Sequence, residues 1–250
     1  MKAFTISEIV SILLILLGLL LLSDLLFGTW AGQAKYILTE LTLLTFVIAF
    51  IKLRGLSIST LLRWNPVQVK CWKYLILLAL ASTFLLNEFD KLIIIITSTP
   101  PEFLTALEKS YQFNSVSDLL WLMIGIGIAA SCVEESIFRG MVQTTLESKY
   151  SFVVAIVITS ILFALVHLKP YWFPQLTLLS LIAGYSTWKM NSIVPGVLIH
   201  GANNIWSLLK INGFAQEFGT EINWDSNFYF GTITIAIIGV IYSLINLKQN

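Results

Sequence analysis

The sequence predicts an all-α protein: a polytopic bundle of about eight transmembrane helices with both termini in the cytoplasm. Three observations lead to this prediction. Of the 250 residues, 57% are apolar and only 12% are charged, about half the charged fraction of a soluble domain. Apolar runs of span length recur along the chain. The formal net charge is +1, which gives no electrostatic reason to expect nucleic acid as a partner.

A helix that crosses the hydrocarbon core needs about 20 mostly apolar residues. Eight segments approach this pattern, near 4–23, 36–52, 73–88, 117–139, 152–168, 171–189, 192–209 and 228–247. The stretch 92–96 is too short to cross, and we expect it in a loop or at the interface. We interpret the first segment as a retained span. A signal peptide is the alternative, but the apolar run is long for one and many spans follow.

The basic residues predict the orientation. With the N-terminus in the cytoplasm, and with Arg139 left aside, nine basic side chains fall on the cytoplasmic side and five fall outside. The cytoplasmic set is Lys2, Lys52, Arg54, Arg63, Lys70, Lys73, Lys149, Lys189 and Lys248, and the outer set is Lys35, Lys91, Lys109, Lys169 and Lys210. Acidic residues cluster on the outer side, with Glu217, Glu221 and Asp225 among them.

Ionisable residues inside the apolar segments point to function, because a charge at mid-bilayer costs ~2.5–3.5 kcal/mol on insertion scales. Both histidines of the chain are in this set, which comprises Glu40, Glu134, Glu135, Arg139, His167 and His200. Glu40 is near the outer end of the second span. We expect it to reach the interface or to form a hydrogen bond there, and to take no part in catalysis.

Glu134, Glu135 and Arg139 lie in the fourth predicted span. Their four-residue spacing places Glu135 and Arg139 on one helix face, where they can form a buried ion pair. Glu134 is rotated by about 100° from Glu135 and lacks this partner. A buried carboxylate without a counter-charge is a candidate general base. A purely structural ion network is the alternative.

His167 ends the fifth predicted span, and His200 and Asn204 share a face of the seventh because they are four residues apart. A core histidine or an interhelical hydrogen bond is the structural alternative. Helix rise places Glu134 and His167 at about the same depth, ~23 Å from a turn near 148–151. His200 is only ~14 Å from the turn near 190–192. The mismatch disappears if 142–149 lies along the interface.

Together these segments resemble the CPBP family, the CAAX proteases and bacteriocin-processing proteins, also called the Abi family. The family is recognised by EExxxR, FxxxH and HxxxN on successive spans. Here the motifs read Glu134-Glu135-Ser136-Ile137-Phe138-Arg139, Phe163-Ala164-Leu165-Val166-His167 and His200-Gly201-Ala202-Asn203-Asn204. Each motif is weak alone, but three in order make chance a poor explanation. The resemblance covers 117–210, the catalytic core of a single predicted domain 1–250, with 1–116 as accessory spans.

The resemblance implies an intramembrane endopeptidase that hydrolyses peptide bonds with activated water. Glu134 matches the general base, and Glu135 and Arg139 match its supporting pair. The groups that hold the water or a metal and stabilise the oxyanion are His167, His200 and Asn204. Two possibilities stay open: a divalent metal such as zinc, held by Glu134, His167 and His200, or a metal-free glutamate mechanism. The zinc-protease motif HExxH is absent from the sequence.

The expected partners are membrane lipid and a peptide or protein substrate, such as a prenylated C-terminal peptide, a leader peptide or a quorum-sensing precursor. The expected location is the plasma membrane of a prokaryote. Two other functions compete. One is a non-catalytic immunity or scaffold protein of the same fold, against which the complete motif argues. The other is a transporter with a Glu/His proton relay, against which the lack of paired halves argues.

Overall fold

The computed structural model describes residues 4–28, 30–213 and 227–247. Within these residues the chain is helical and contains no strand. Ten helices follow one another: α1 (Ile6–Phe27), α2 (Lys35–Leu53), α3 (Ile58–Leu62), α4 (Trp72–Thr97), α5 (Pro101–Tyr111), α6 (Val116–Glu147), α7 (Phe152–Val166), α8 (Phe173–Met190), α9 (Val194–Ile211) and α10 (Asn227–Asn246). Short 3-10 turns stand at Gly32–Ala34, Val69–Cys71 and Pro170–Trp172.

A long helix stands at each of the eight predicted span positions. In the described residues, five segments are long and apolar enough to cross a membrane, namely Ile6–Phe27, Gly32–Leu53, Val69–Thr97, Val116–Glu147 and Tyr229–Asn246. Large apolar side chains on α1 and α10 are exposed, among them Leu14, Leu21, Leu25, Ile235 and Ile238, as expected of a lipid-facing surface. The all-α membrane bundle is therefore confirmed.

The number of crossings and the cytoplasmic termini stay predictions. Lys2, Lys248 and the acidic residues Glu217, Glu221 and Asp225, which entered the orientation argument, lie outside the described residues. Short connections make α7, α8 and α9 each antiparallel to the helix before it. We call the end of the bundle with residues 111–116 and 167–172 the outer end, following the predicted orientation. Residues 147–152 and 190–194 are at the inner end.

The stretch 92–96 belongs to the last part of α4, so the expectation of a loop is wrong, and its place relative to the interface stays a prediction. Polar residues interrupt the apolar pattern just before it, but they are buried and satisfy one another. Oε1 of Glu88 lies 2.9 Å from Nζ of Lys91 and 3.0 Å from the amide nitrogen of Asn87. Because the charges pair locally, the helix continues past them.

The helix α6 carries the first motif and changes its winding twice. Residues 123–130 and 136–143 form wide π-helical turns, and Ser131–Glu135 between them is α-helical. Such turns are rare and concentrate at functional sites. Glycines in both wide stretches admit neighbouring helices. A Cβ added at Gly127 would lie 2.7 Å from a side-chain carbon of Ile205 on α9, and one added at Gly140 would lie 2.8 Å from Cα of Leu62 on α3.

The depth mismatch of His200 is resolved at the inner end. The suggestion that 142–149 lies along the interface is not needed to explain it, and in the structure α6 stays helical through Glu147 with residues 142–146 buried in the bundle. Instead, the turn between α8 and α9 lies inside the protein, with Ser192 and Ile193 fully buried. The segment after α3 covers it: Ser192 Oγ donates to the Asn65 carbonyl at 2.6 Å, and the Ile193 amide donates to the Arg63 carbonyl at 3.0 Å. Because α9 starts deep in the bundle, His200 reaches the level of Glu134.

Candidate active site

The three motifs meet at the side chain of Glu134. Its Oε2 lies 3.7 Å from Nε2 of His167 and 4.0 Å from Nε2 of His200. The glutamate side chain is 21% exposed, but its Oε2 atom is buried and has no hydrogen-bond partner among the described residues. Glu134 is on α6, His167 directly follows α7, and His200 is on α9. The side chains of Glu134, His167 and His200, from three different parts of the bundle, therefore converge.

Glu135 and Arg139 form a buried ion pair at the predicted spacing. Oε1 of Glu135 lies 2.8 Å from Nη1 of Arg139, and both side chains are 0% exposed. Nη2 of Arg139 also donates to the carbonyl of Ser180 on α8 at 3.3 Å. The same Oε1 of Glu135 lies 3.1 Å from Nδ1 of His200. The pair therefore connects α6 and α8 to the imidazole on α9.

A glycine on α9 makes this contact possible. A Cβ added at Gly196 would lie 2.3 Å from Oε2 of Glu135, closer than any side chain allows. The absence of a side chain at Gly196 lets α9 approach α6 one turn before His200. The position of Glu135, and through it the position of His200, depends on this glycine.

The hydrogen bonds of the two histidines fix which nitrogen carries the proton. His167 Nδ1 lies 2.7 Å from the Phe163 carbonyl, which can only accept, so Nδ1 carries the hydrogen. His200 Nδ1 likewise donates to the Glu135 carboxylate. In each neutral imidazole, Nε2 then presents a lone pair toward Glu134. Three hydrogen-bond acceptors, two nitrogens and one carboxylate oxygen, therefore converge.

Water suits this arrangement. A water molecule can donate both of its hydrogens to two of the three acceptors, and hydrogen bonds of about 2.8 Å span the observed separations. Two histidine nitrogens and a carboxylate oxygen are also ligand types that zinc accepts. Tetrahedral zinc ligands, however, lie about 3.4 Å apart, closer together than the histidine nitrogens lie to Glu134 Oε2. Within the described residues, no group of three or more His, Cys, Asp or Glu side chains has the geometry to hold a metal ion. We therefore derive no step through a metal.

Asn204 lies apart from Glu134, toward the outer end. Its Nδ2 donates to the carbonyl of Ile126 at 3.0 Å, which is available because α6 is π-helical there. The site thus brings Glu134, Glu135, Arg139, His167 and His200 together. Asn204 bonds α6 at Ile126, two turns nearer the outer end than Glu134.

Residues 116–206 match the family model described as Type II CAAX prenyl endopeptidase Rce1-like. The matched segment contains all three motifs and nearly coincides with the predicted core 117–210. The match covers 91 of the 250 residues. This segment is therefore similar to a family of membrane proteases, and the candidate site lies inside it. No curated protein and no solved structure matches the chain.

Phe163 is a central contact of the candidate site, although it was not among the predicted site residues. It is fully buried, and its ring centroid lies 4.8 Å from that of His167 and 5.5 Å from that of His200. The guanidinium carbon of Arg139 lies 4.6 Å from the same centroid, within the range of a cation–π contact. The available signal was its place as the first residue of the FxxxH motif.

Glu40 corrects one expectation about the surroundings of the candidate site. We expected it to reach the interface or a hydrogen bond near the end of its span, but it is only 7% exposed. Its Oε2 is buried and has no hydrogen-bond partner among the described residues. The reason is the close packing of α2 on α6, where an added Cβ at Gly125 would lie 2.9 Å from Cβ of Tyr36. Whether Glu40 affects catalysis stays a prediction.

Proposed function

We propose that the protein is an intramembrane endopeptidase that hydrolyses a peptide bond of a membrane-associated substrate with water activated by Glu134. The observation that carries the proposal is the convergence of His167 Nε2 and His200 Nε2 on Glu134 Oε2, at 3.7 and 4.0 Å. These three residues stand in the segment that matches a protease family.

Hydrolysis needs one proton acceptor that later becomes a proton donor. Glu134 takes a proton from the water while the water oxygen attacks the carbonyl carbon of the peptide. The resulting tetrahedral intermediate carries the negative charge on the former carbonyl oxygen. Its C–N bond then breaks, and Glu134 gives its proton to the leaving amine. Glu134 is thereby restored as a carboxylate, and the products are an amine and a carboxylic acid, which then loses its proton to solvent.

The two histidines orient the water. His167 Nε2 accepts its second hydrogen, so a lone pair of the oxygen points away from both acceptors toward the substrate. Glu135 holds His200 in the tautomer that presents Nε2 to the same place, and Arg139 is the counter-charge of the buried Glu135 carboxylate. Positioning of this kind can supply a large part of a rate enhancement.

The substrate class is the second part of the proposal. The matched family is described by a prenyl endopeptidase, so a peptide with a prenylated C-terminal CAAX sequence is the first substrate to test. Leader peptides and quorum-sensing precursors are the alternatives. We further propose that the chain crosses the membrane eight times with both termini in the cytoplasm. We expect it to contact membrane lipid and to lie in the plasma membrane of a prokaryote.

The test is cleavage by the purified protein in lipid nanodiscs. The panel contains a farnesylated CAAX peptide, the same peptide without the lipid, and a leader peptide, with new termini identified by mass spectrometry. We expect the farnesylated peptide to be cut between residues of its C-terminal sequence. Cleavage that continues in the presence of a chelator supports the metal-free mechanism. If the chelator abolishes cleavage and only added zinc restores it, the protein is a metalloprotease. If no membrane-anchored peptide is cut, the non-catalytic peptide-binding function replaces this proposal.

A further inference from the structure

Three consecutive residues of the accessory part, Arg63, Trp64 and Asn65, contact two helices of the candidate site at the inner end. Each of them forms a hydrogen bond with a residue between 116 and 206, the segment that matches the family model. Segment 63–65 itself lies outside that match. Its contacts therefore show how the accessory part is joined to the candidate site.

The side chain of Arg63 holds the inner end of α6. Its Nη2 donates to Oε2 of Glu147 at 2.5 Å, and its Nη1 donates to Oε1 at 3.2 Å. The two side chains are 12% and 13% exposed, so salt screens this pair little. A two-point contact between a guanidinium and a carboxylate fixes direction as well as distance. Gln143 also donates to Glu147 and to the Gly184 carbonyl on α8, at 2.8 and 3.0 Å.

The main chain of Arg63 holds the start of α9. Its carbonyl accepts the amide hydrogen of Ile193, the residue before α9, at 3.0 Å. Arg63 has a φ of +52°, a left-handed conformation that residues other than glycine rarely adopt. Such a conformation persists where the surrounding contacts determine it. One residue thus joins α6, through its side chain, to α9, through its carbonyl.

Trp64 and Asn65 add one contact to each of these two helices. Nε1 of Trp64 donates to Oγ of Ser136 at 2.9 Å, and Ser136 directly follows Glu135 on α6. The side-chain amide of Asn65 donates to the Asn191 carbonyl at 2.6 Å, in the turn that leads into α9. The segment therefore contacts α6 beside the buried carboxylate and α9 at its start.

These two helices carry the side chains that meet at the candidate site. Glu134 is on α6, and His200 is about two turns beyond Ile193 on α9. Over so short a length a helix moves as one rigid element, so a shift of its first residue also moves the imidazole. The separation of Glu134 Oε2 and His200 Nε2, 4.0 Å, therefore depends on how α9 is spaced from α6.

We propose that segment 63–65 positions the catalytic groups, with Arg63 and Trp64 as positioning residues. They hold α6 and α9 at the spacing at which Glu134 and His200 engage the same water. The inference rests on the proposed function, because it concerns the water that Glu134 activates. Both residues act through the two helices and not on the substrate. The accessory part of the chain thereby sets the geometry of the site.

The test is the double variant Arg63→Asn/Glu147→Gln. Asparagine tolerates the left-handed backbone at position 63, and removing both charges leaves no stranded carboxylate. Because a displacement of about 1 Å can cost ~100-fold in rate, we expect kcat per folded molecule to fall ~10–100-fold. KM for the farnesylated CAAX peptide should stay within about three-fold, since the variant leaves the substrate contacts in place. A purely structural pair would lower folded yield and leave kcat per folded molecule unchanged.

The matched control is Arg54→Asn/Glu8→Gln. It removes another ion pair at the inner end, in which Nη2 of Arg54 lies 2.6 Å from Oε1 of Glu8. This pair joins α1 to the end of α2, and neither of these helices carries a motif. We expect the control to keep kcat within about two-fold of wild type.

Two results would overturn the inference while the proposed function stands, with wild type cutting and Glu134→Gln failing to cut. One is a folded Arg63→Asn/Glu147→Gln protein with the wild-type kcat, and the other is an equal loss of kcat in the control. A wild type that cuts no membrane-anchored peptide removes both proposals. If the double variant does not fold, Trp64→Phe removes one hydrogen bond from a side chain that is 47% exposed. An unchanged kcat in Trp64→Phe would then contradict the positioning role.

Discussion

At the scale of single residues, specific neighbours stabilise several buried charges of this protein. Arg139 is the clearest case. Its guanidinium contacts Glu135, the Ser180 carbonyl and the Phe163 ring, and no part of its side chain is exposed. Removing one member of such a group leaves a charge in a medium that cannot solvate it.

We predict that Arg139→Ala lowers both folded yield and activity. It strands the Glu135 carboxylate, and breaking a buried pair costs ~3–5 kcal/mol. The measurement is the melting temperature in nanodiscs together with peptide cleavage. Arg54→Ala is the control, because Arg54 pairs with Glu8 at a largely exposed position and should change stability little. An Arg139→Ala protein with wild-type stability and turnover would contradict the structural role.

The site residues that sequence could predict are those with a fixed spacing within one helix. Glu135 and Arg139 are four apart, so their pairing follows from helix geometry alone. Glu40 was placed wrongly, because its burial depends on how α2 packs on α6. Hydropathy placed Glu40 near the outer end of the second span, but it could not show that the side chain turns into the bundle.

At the scale of helices, close approach at glycines decides where the motifs meet. The sequence predicted the positions of the long helices because apolar runs of span length are a strong signal. It did not predict the π-helical turns of α6 or the short helix α5. It also ended α4 too early, since hydropathy records Glu88 and Lys91 as interruptions and does not record that they pair.

We therefore predict that Gly196→Ala on α9 displaces site residues, including Glu135 on α6. The added methyl would meet Oε2 of Glu135 at 2.3 Å, so Glu135 or α9 must move and His200 with it. Overpacking of this kind costs ~1–3 kcal/mol. We expect a lower melting temperature and a larger loss of turnover than of stability. Gly231→Ala on α10 is the control, since no atom lies within 4 Å of the added carbon. Equal behaviour of the two variants would exclude the proposed contact.

At the scale of the whole molecule, the accessory segment 1–116 and the family core form one packed unit. Segment 63–65 covers the buried turn that places His200, α3 packs on Gly140, and α2 packs on Gly125. These contacts span the long sequence separation between the two parts. Sequence analysis treated the first spans as accessory because no motif lies in them, and long-range packing leaves no local pattern to read.

We predict that residues 116–250 expressed alone are unstable and inactive. Without the accessory helices, the glycine-lined faces of α6 and the α8–α9 turn lose the groups that cover them. The measurement is monodispersity after extraction, followed by peptide cleavage. Co-expression of residues 1–115 should restore part of the folded protein. A stable and active fragment 116–250 would show that the core is independent.

The central claim, that Glu134 is the general base, is tested most directly by Glu134→Gln. The amide keeps the shape of the side chain and cannot take a proton from water. The measurement is cleavage of the best panel peptide by mass spectrometry, paired with binding of the same peptide. Glu102→Gln, which removes an exposed carboxylate on α5, is the control. The account predicts a folded variant that binds peptide and cuts it ~10²–10⁴-fold more slowly. Cleavage at the wild-type rate would contradict the account and transfer the role of base to Glu135.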